Sequence, residues 1–264
     1  MNLASLKKFS KTRLKKLMTK EKPYVFFMHI PKTGGTSIDA SIRRHYGKDI
    51  SIIEAAPSYK AAEILYGVDF KNHINDYIFK FREQLVLYEM FRGTRYIAGH
   101  IRYSPELWNL FHGQYIYTTC LRNPIKKYIS NYFYNAFKES NHCKISDDLP
   151  TFINSERGKE LGYEYVRYFA GMSEQVDYTS PAIIQNAKDN ISRFKVIGIL
   201  EELDVFTKEF RRQTGLRLSV PNRRKNPVSN PVVDKALIRE IEKLCAPDIE
   251  LYEYARHTFL EKST

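Results

Sequence analysis

The chain has 264 residues, enough for one α/β domain with a sizeable core. Lys and Arg number 42 against 30 Asp and Glu, leaving a net charge of +12. That balance favours anionic partners, namely a nucleotide cofactor, an acidic glycan, nucleic acid or an anionic membrane surface, and excludes none of them by itself. Cys120, Cys143 and Cys245 lack metal-ligand spacing and cannot all pair, and no apolar run approaches the ~18 residues of a membrane span. Disulfide scaffolds, cysteine-ligated metal domains and helical membrane proteins are thereby set aside, and a reducing, cytoplasmic setting is expected.

Residues 1–22 carry eight Lys or Arg and one Glu. At helical spacing Leu3, Leu6, Leu14, Leu17 and Met18 gather on one side, with most lysines elsewhere. Two outcomes fit that pattern: an interfacial helix touching anionic lipid at the inner membrane face, or a solvated basic tail. Pro23 separates this segment from a single domain expected over 23–264.

Tyr24 to Ile30 reads as a buried strand that Pro31 breaks, and the amphipathic segment Ser37 to Tyr46 reads as the helix that follows. Between them lies Pro31-Lys32-Thr33-Gly34-Gly35-Thr36-Ser37. Gly34 and Gly35 let a backbone approach a ligand closely, and the helix start supplies unpaired N–H groups and a positive dipole end. Lys32 adds a cation, Thr36 and Ser37 add hydroxyls, and a phosphate is the ligand such a loop suits. The loop differs from that of ATPases and GTPases, whose lysine follows the glycines.

Gly47 to Gly93 shows helical patterns, notably over Asn75 to Phe91, and no strong strand; it reads as a helical insertion suited to acceptor contacts. Arg95 to Gly99 is a short strand ending at His100, and Tyr115 to Leu121 another ending at Arg122. A helix from Pro124 to about Lys138 follows, with proline in its first turn, Asn123 as cap and Ser130 two turns in. Residues 139–192 are polar and give little functional signal. Phe194 to Leu200 is a further strand and Glu201 to Thr214 its helix. The cationic loop Pro221 to Pro231 then precedes closing helices near Val233 to Cys245 and Asp248 to Phe259. Strands alternating with helices call for a mostly parallel central sheet flanked by helices on both faces.

The loop Pro31 to Ser37 resembles the 5′-phosphosulfate loop of sulfotransferases that use 3′-phosphoadenosine 5′-phosphosulfate (PAPS). Arg122 with Ser130 eight residues later resembles their 3′-phosphate motif. Heparan and uronyl 2-O-sulfotransferases carry a His-Gly-His segment whose second histidine precedes that arginine by 22 residues, the interval from His100 to Arg122, with Ala98 in place of the first histidine. The likeness covers most of 23–260 and departs again at Asn123, where Asp is common. It implies an α/β, P-loop-like three-layer fold and a carbohydrate sulfotransferase. His100 would be the general base and Lys32 would stabilise the leaving phosphate. Lys32, Thr33, Gly34, Gly35, Thr36, Ser37, Arg122 and Ser130 would hold PAPS, joined by Arg224 and Lys225 from the loop that covers the cofactor in the family. The implied acceptor is a carbohydrate, an acidic glycan among them, with no metal and no nucleic-acid partner. Rival readings are a nucleotide kinase or NTPase, which would need a magnesium-holding carboxylate at a second strand end, and a noncatalytic nucleic-acid binder built on the charge.

Overall fold

A computed structural model describes residues 22–67, 74–140, 143–171, 176–220 and 232–260. In chain order it contains β1 (Tyr24–Met28), α1 (Gly35–Arg43), β2 (Ile50–Ile53), α2 (Ala55–Tyr66), α3 (Ile74–Phe91), β3 (Tyr96–Gly99), α4 (Pro105–Phe111), β4 (Tyr115–Leu121) and α5 (Pro124–Phe137). Then come α6 (Leu149–Asn154), α7 (Glu156–Gly162), α8 (Glu164–Phe169), α9 (Pro181–Ile191), β5 (Val196–Ile199), a 3₁₀ turn (Leu200–Glu202), α10 (Leu203–Thr214), α11 (Lys235–Leu244) and α12 (Ala246–Leu260).

The five strands form one sheet in the order β2-β3-β1-β4-β5, and every pairing is parallel. Parallel sheets are covered on both faces, so their strands need apolar side chains at successive positions, as in the run Val25, Phe26, Phe27, Met28. Alternation splits that run between two cores. Phe26 and Met28 join Val86 and Met90 of α3, Tyr165 and Phe169 of α8 and Leu251 of α12. Val25 and Phe27 meet Ile38 and Ile42 of α1 and Phe206 and Phe210 of α10. The result is the expected three-layer α/β architecture. A third cluster joins α5, α6 and α11 through Tyr128, Tyr132, Phe152 and Ile241.

One sequence expectation is corrected here. The segment Gly47 to Gly93 contains a strand: Ile50–Ile53 pairs with Tyr96–Gly99 at the sheet edge, and helices α2 and α3 follow it. Three of the four residues of β2 are only half-buried, whereas β3, an interior strand of the same length, is buried throughout. Two other expectations fall outside the described residues: the amphipathic pattern of the first 21 residues, and Arg224 and Lys225 within 221–231. Lys22 is described, and its carbonyl accepts a hydrogen bond from Arg95 at the N-terminal edge of the sheet.

Candidate active site

Register places the key side chains. Met28 of β1 is level with Gly99 of β3 and with Thr119 of β4, so the residues that follow leave the sheet together at its C-terminal edge. That is where open α/β sheets bind ligands. His29, the loop from Pro31, His100 and Arg122 therefore share one rim.

The loop is bound to its surroundings by hydrogen bonds. Thr33 is fully buried and its hydroxyl donates to the Ile30 carbonyl at 2.9 Å, so that group braces the turn. Lys32 has φ of 65°, left-handed and unusual for a residue with a Cβ, and its carbonyl accepts from Arg122 Nη1 at 3.2 Å. Its ammonium lies 3.9 Å from the ring centroid of Tyr134 on α5. Gly34, at φ 78°, caps α1 without any side-chain cap. The start of α1 thus keeps N–H donors for a ligand, beside the exposed Thr36 and half-buried Ser37. A Cβ at Gly34 would strike Leu200, and one at Gly35 would overlap the ring of His29.

His29 was not singled out in the sequence, where it reads as part of an apolar strand. Its ring centroid is 4.6 Å from that of His100, and its other neighbours are Phe27 and Gly35. Burial, and after it the neighbouring His100, push His29 down to about 3, so it is neutral at any working pH. The only signal that finds it is the β1–β3 register, which sets position 29 beside position 100.

His100 Nδ1 lies 2.6 Å from the His29 carbonyl oxygen. A carbonyl can only accept, so Nδ1 carries the proton and Nε2 keeps its lone pair. Burial lowers the His100 pKa below the ordinary histidine value. The backbone hydrogen bond and Glu164 oppose that shift, and Arg82 adds to it. From the helices expected to serve the acceptor, Arg82 of α3 donates Nη1 to the His100 carbonyl at 3.0 Å and Nε to Ser58 of α2 at 2.9 Å. A neutral imidazole whose lone pair is on Nε2, held at a strand end, is suited to accept a proton.

Arg122 follows β4 and is half-buried, with its side chain directed toward the loop through the bond to Lys32. Asn123 caps α5 as expected, its side chain accepting from Lys126 N–H at 3.1 Å. Ser130 lies on the inner side of α5 at 8% exposure. Glu201, beyond β5, is an acidic residue near a strand end that the sequence reading passed over. Its carboxylate accepts the Asn123 N–H at 3.2 Å, and its charge raises the pKa of Arg122 against the lowering effect of burial. Residues 139–192, silent in sequence, supply Glu164 and Tyr165; the Tyr165 hydroxyl meets the backbone of Arg122.

A family model of the sulfotransferase family matches residues 15–255. The chain belongs to the sulfotransferase family. No curated protein matches it. Among solved structures, one described as part of the PezAT chromosomal toxin-antitoxin system of Streptococcus pneumoniae is 14% identical, covering 96% of this chain and 98% of that chain. Its TM-score is 0.35, too low to bear on the fold.

Proposed function

We propose that this sulfotransferase moves the sulfuryl group of PAPS to a hydroxyl of a carbohydrate acceptor. The observation that carries the proposal is His100, with Nδ1 committed to the His29 carbonyl, which leaves the Nε2 lone pair for a proton, on the same rim as the loop from Lys32 to Ser37. The uncapped start of α1, with Lys32 before it and Arg122 bonded to the loop, is a donor set that fits a bisphosphorylated nucleotide. Lys32, Gly34, Gly35, Thr36 and Ser37 serve the 5′ end, while Thr33, buried and bonded to Ile30, braces the turn instead of touching the nucleotide; Arg122 and Ser130 serve the 3′-phosphate.

In the reaction, the acceptor oxygen forms a bond to sulfur while the bond from sulfur to the 5′-phosphate oxygen breaks in line. The hydroxyl proton passes to His100 Nε2, and the nucleotide leaves as adenosine 3′,5′-bisphosphate. Lys32 and the N–H groups at the α1 start meet the charge that develops on the leaving phosphate. The interval from His100 to Arg122 supports a likeness to heparan and uronyl 2-O-sulfotransferases, and the net charge of +12 suits an acidic glycan. His29 stands beside the base, just past the end of the neighbouring strand, whereas the resemblance puts the first histidine of the pair at position 98, here Ala98.

The test incubates purified protein with PAPS and a glycan panel and follows release of adenosine 3′,5′-bisphosphate. Acceptor-dependent release is expected. Its absence with every glycan, alongside transfer to a non-carbohydrate hydroxyl, would replace the acceptor class. Neither rival from the sequence is favoured: the carboxylate found beyond β5, Glu201, is engaged with the start of α5.

A further inference from the structure

We propose that Tyr165 is the positioning residue for Arg122, holding the proposed 3′-phosphate contact at a fixed reach from the 5′ loop. The inference rests on the nucleotide reading above. Arg122 lies just past Leu121, whose pairing with Ile199 is the last on that side of β4, so the sheet no longer fixes its backbone. The Tyr165 hydroxyl takes over, accepting the Arg122 N–H at 2.8 Å and donating to the Arg122 carbonyl at 2.8 Å. One phenol satisfies both backbone groups of a single residue, using one proton and one lone pair.

Tyr165 is itself held rigidly. It is wholly buried, and its N–H donates to Asp248 of α12 at 2.9 Å, with the Val166 N–H reaching the same carboxylate at 3.0 Å. Lys127 of α5, also fully buried, places its ammonium 4.7 Å from the Tyr165 ring centroid. That ammonium is 2.7 Å from Glu164 and 3.8 Å from Asp248. Helices α5, α8 and α12 thus meet at one ionic cluster, from which the phenol reaches the rim. On its far side Arg122 donates to the Lys32 carbonyl, so its position is fixed relative to both the phenol and the loop.

The test is calorimetric titration of Tyr165→Phe, Arg122→Ala and the double variant with adenosine 3′,5′-bisphosphate and with AMP. Tyr165→Phe keeps the ring and removes only the hydroxyl. It should reduce the preference for the 3′-phosphorylated nucleotide about tenfold, as expected for a misaligned charge-assisted bond. AMP affinity should stay within about twofold, which also reports that the fold is intact. The double variant should show no less preference than Arg122→Ala alone, because the two residues act as one. Full wild-type preference in Tyr165→Phe, or losses that add in the double variant, would overturn the inference. A wild-type protein that binds both nucleotides equally would overturn the nucleotide reading and this inference with it.

Discussion

At the scale of single residues the base assignment is directly testable. With Nδ1–H bound to the His29 carbonyl and burial lowering its pKa, His100 stays neutral down to pH values where a solvated histidine would be charged. Turnover should therefore rise with pH along an acid limb that lies below the ordinary ~6.5 and stay flat through neutrality. His100→Ala should lower kcat by about 10² to 10⁴ and leave affinity for adenosine 3′,5′-bisphosphate nearly unchanged. Normal turnover in that variant would move the role elsewhere, and a joint fall in melting temperature and nucleotide affinity would mark a packing residue. Gly35 offers a second check, since a methyl there would occupy the place of the His29 ring. Overpacking of this kind costs about 1 to 3 kcal/mol, so Gly35→Ala should weaken nucleotide binding by about tenfold or more, and His29→Ala in the same chain should restore much of it. Titration of the single and double variants decides; unaltered binding in Gly35→Ala would separate His29 from the loop.

At the scale of elements, α5, α8 and α12 are joined by a cluster whose charges should register in stability. Burial first raises Asp248 to about 7, against Lys127 and the N–H groups of Tyr165 and Val166, which pull it down. An acid whose folded pKa lies above its unfolded value of 3.8 stabilises fully below that value and loses the contribution as pH rises through about 7. His29 runs the opposite way. Its folded value of about 3 gives stability that is whole above 6.5 and is lost as pH falls. The effects separate in a difference measurement: the stability of wild type relative to Asp248→Asn should decline between about pH 4 and pH 8 in chemical denaturation. A flat difference would mean that Asp248 is ionised throughout. Elements differ too in how clearly the sequence announces them. β4 was legible over Tyr115–Leu121 because a run of aromatic, β-branched and apolar residues ends at Arg-Asn-Pro, a strand stop and a helix cap in one. β2 was not, since three of its four residues are only half-buried, whereas β5, an edge strand of the same length, is buried throughout. The loop, His100 and Arg122 could be named as candidates from the sequence because each stands at a strand end that the sequence marks, and the register brings those ends to one rim. His29, Tyr165 and Glu201 were not, because each acquires its partner only through contacts between distant parts of the chain.

At the scale of the whole molecule, the chain enters the sheet at Lys22, at the N-terminal edge, while the candidate site lies along the C-terminal edge. A protein beginning at Pro23 should therefore bind adenosine 3′,5′-bisphosphate like the full chain. If residues 1–22 act as an interfacial segment, only the full chain should sediment with anionic vesicles at low salt. Equal sedimentation of both would remove the segment from any membrane role. The sheet order carries a further consequence, for synthesis. β1 is central, and Met28 must find both Gly99 and Thr119. The ribosome has to deliver everything from Pro31 to Leu121 before the first strand gains its second neighbour. Until then the nascent chain carries Tyr-Val-Phe-Phe-Met without its final cover, the kind of sticky segment that chaperones hold. The strand that runs up to His29 and leads toward the loop is thus made first and completed late, and translation speed over the first half of the message should govern how much of this protein escapes aggregation.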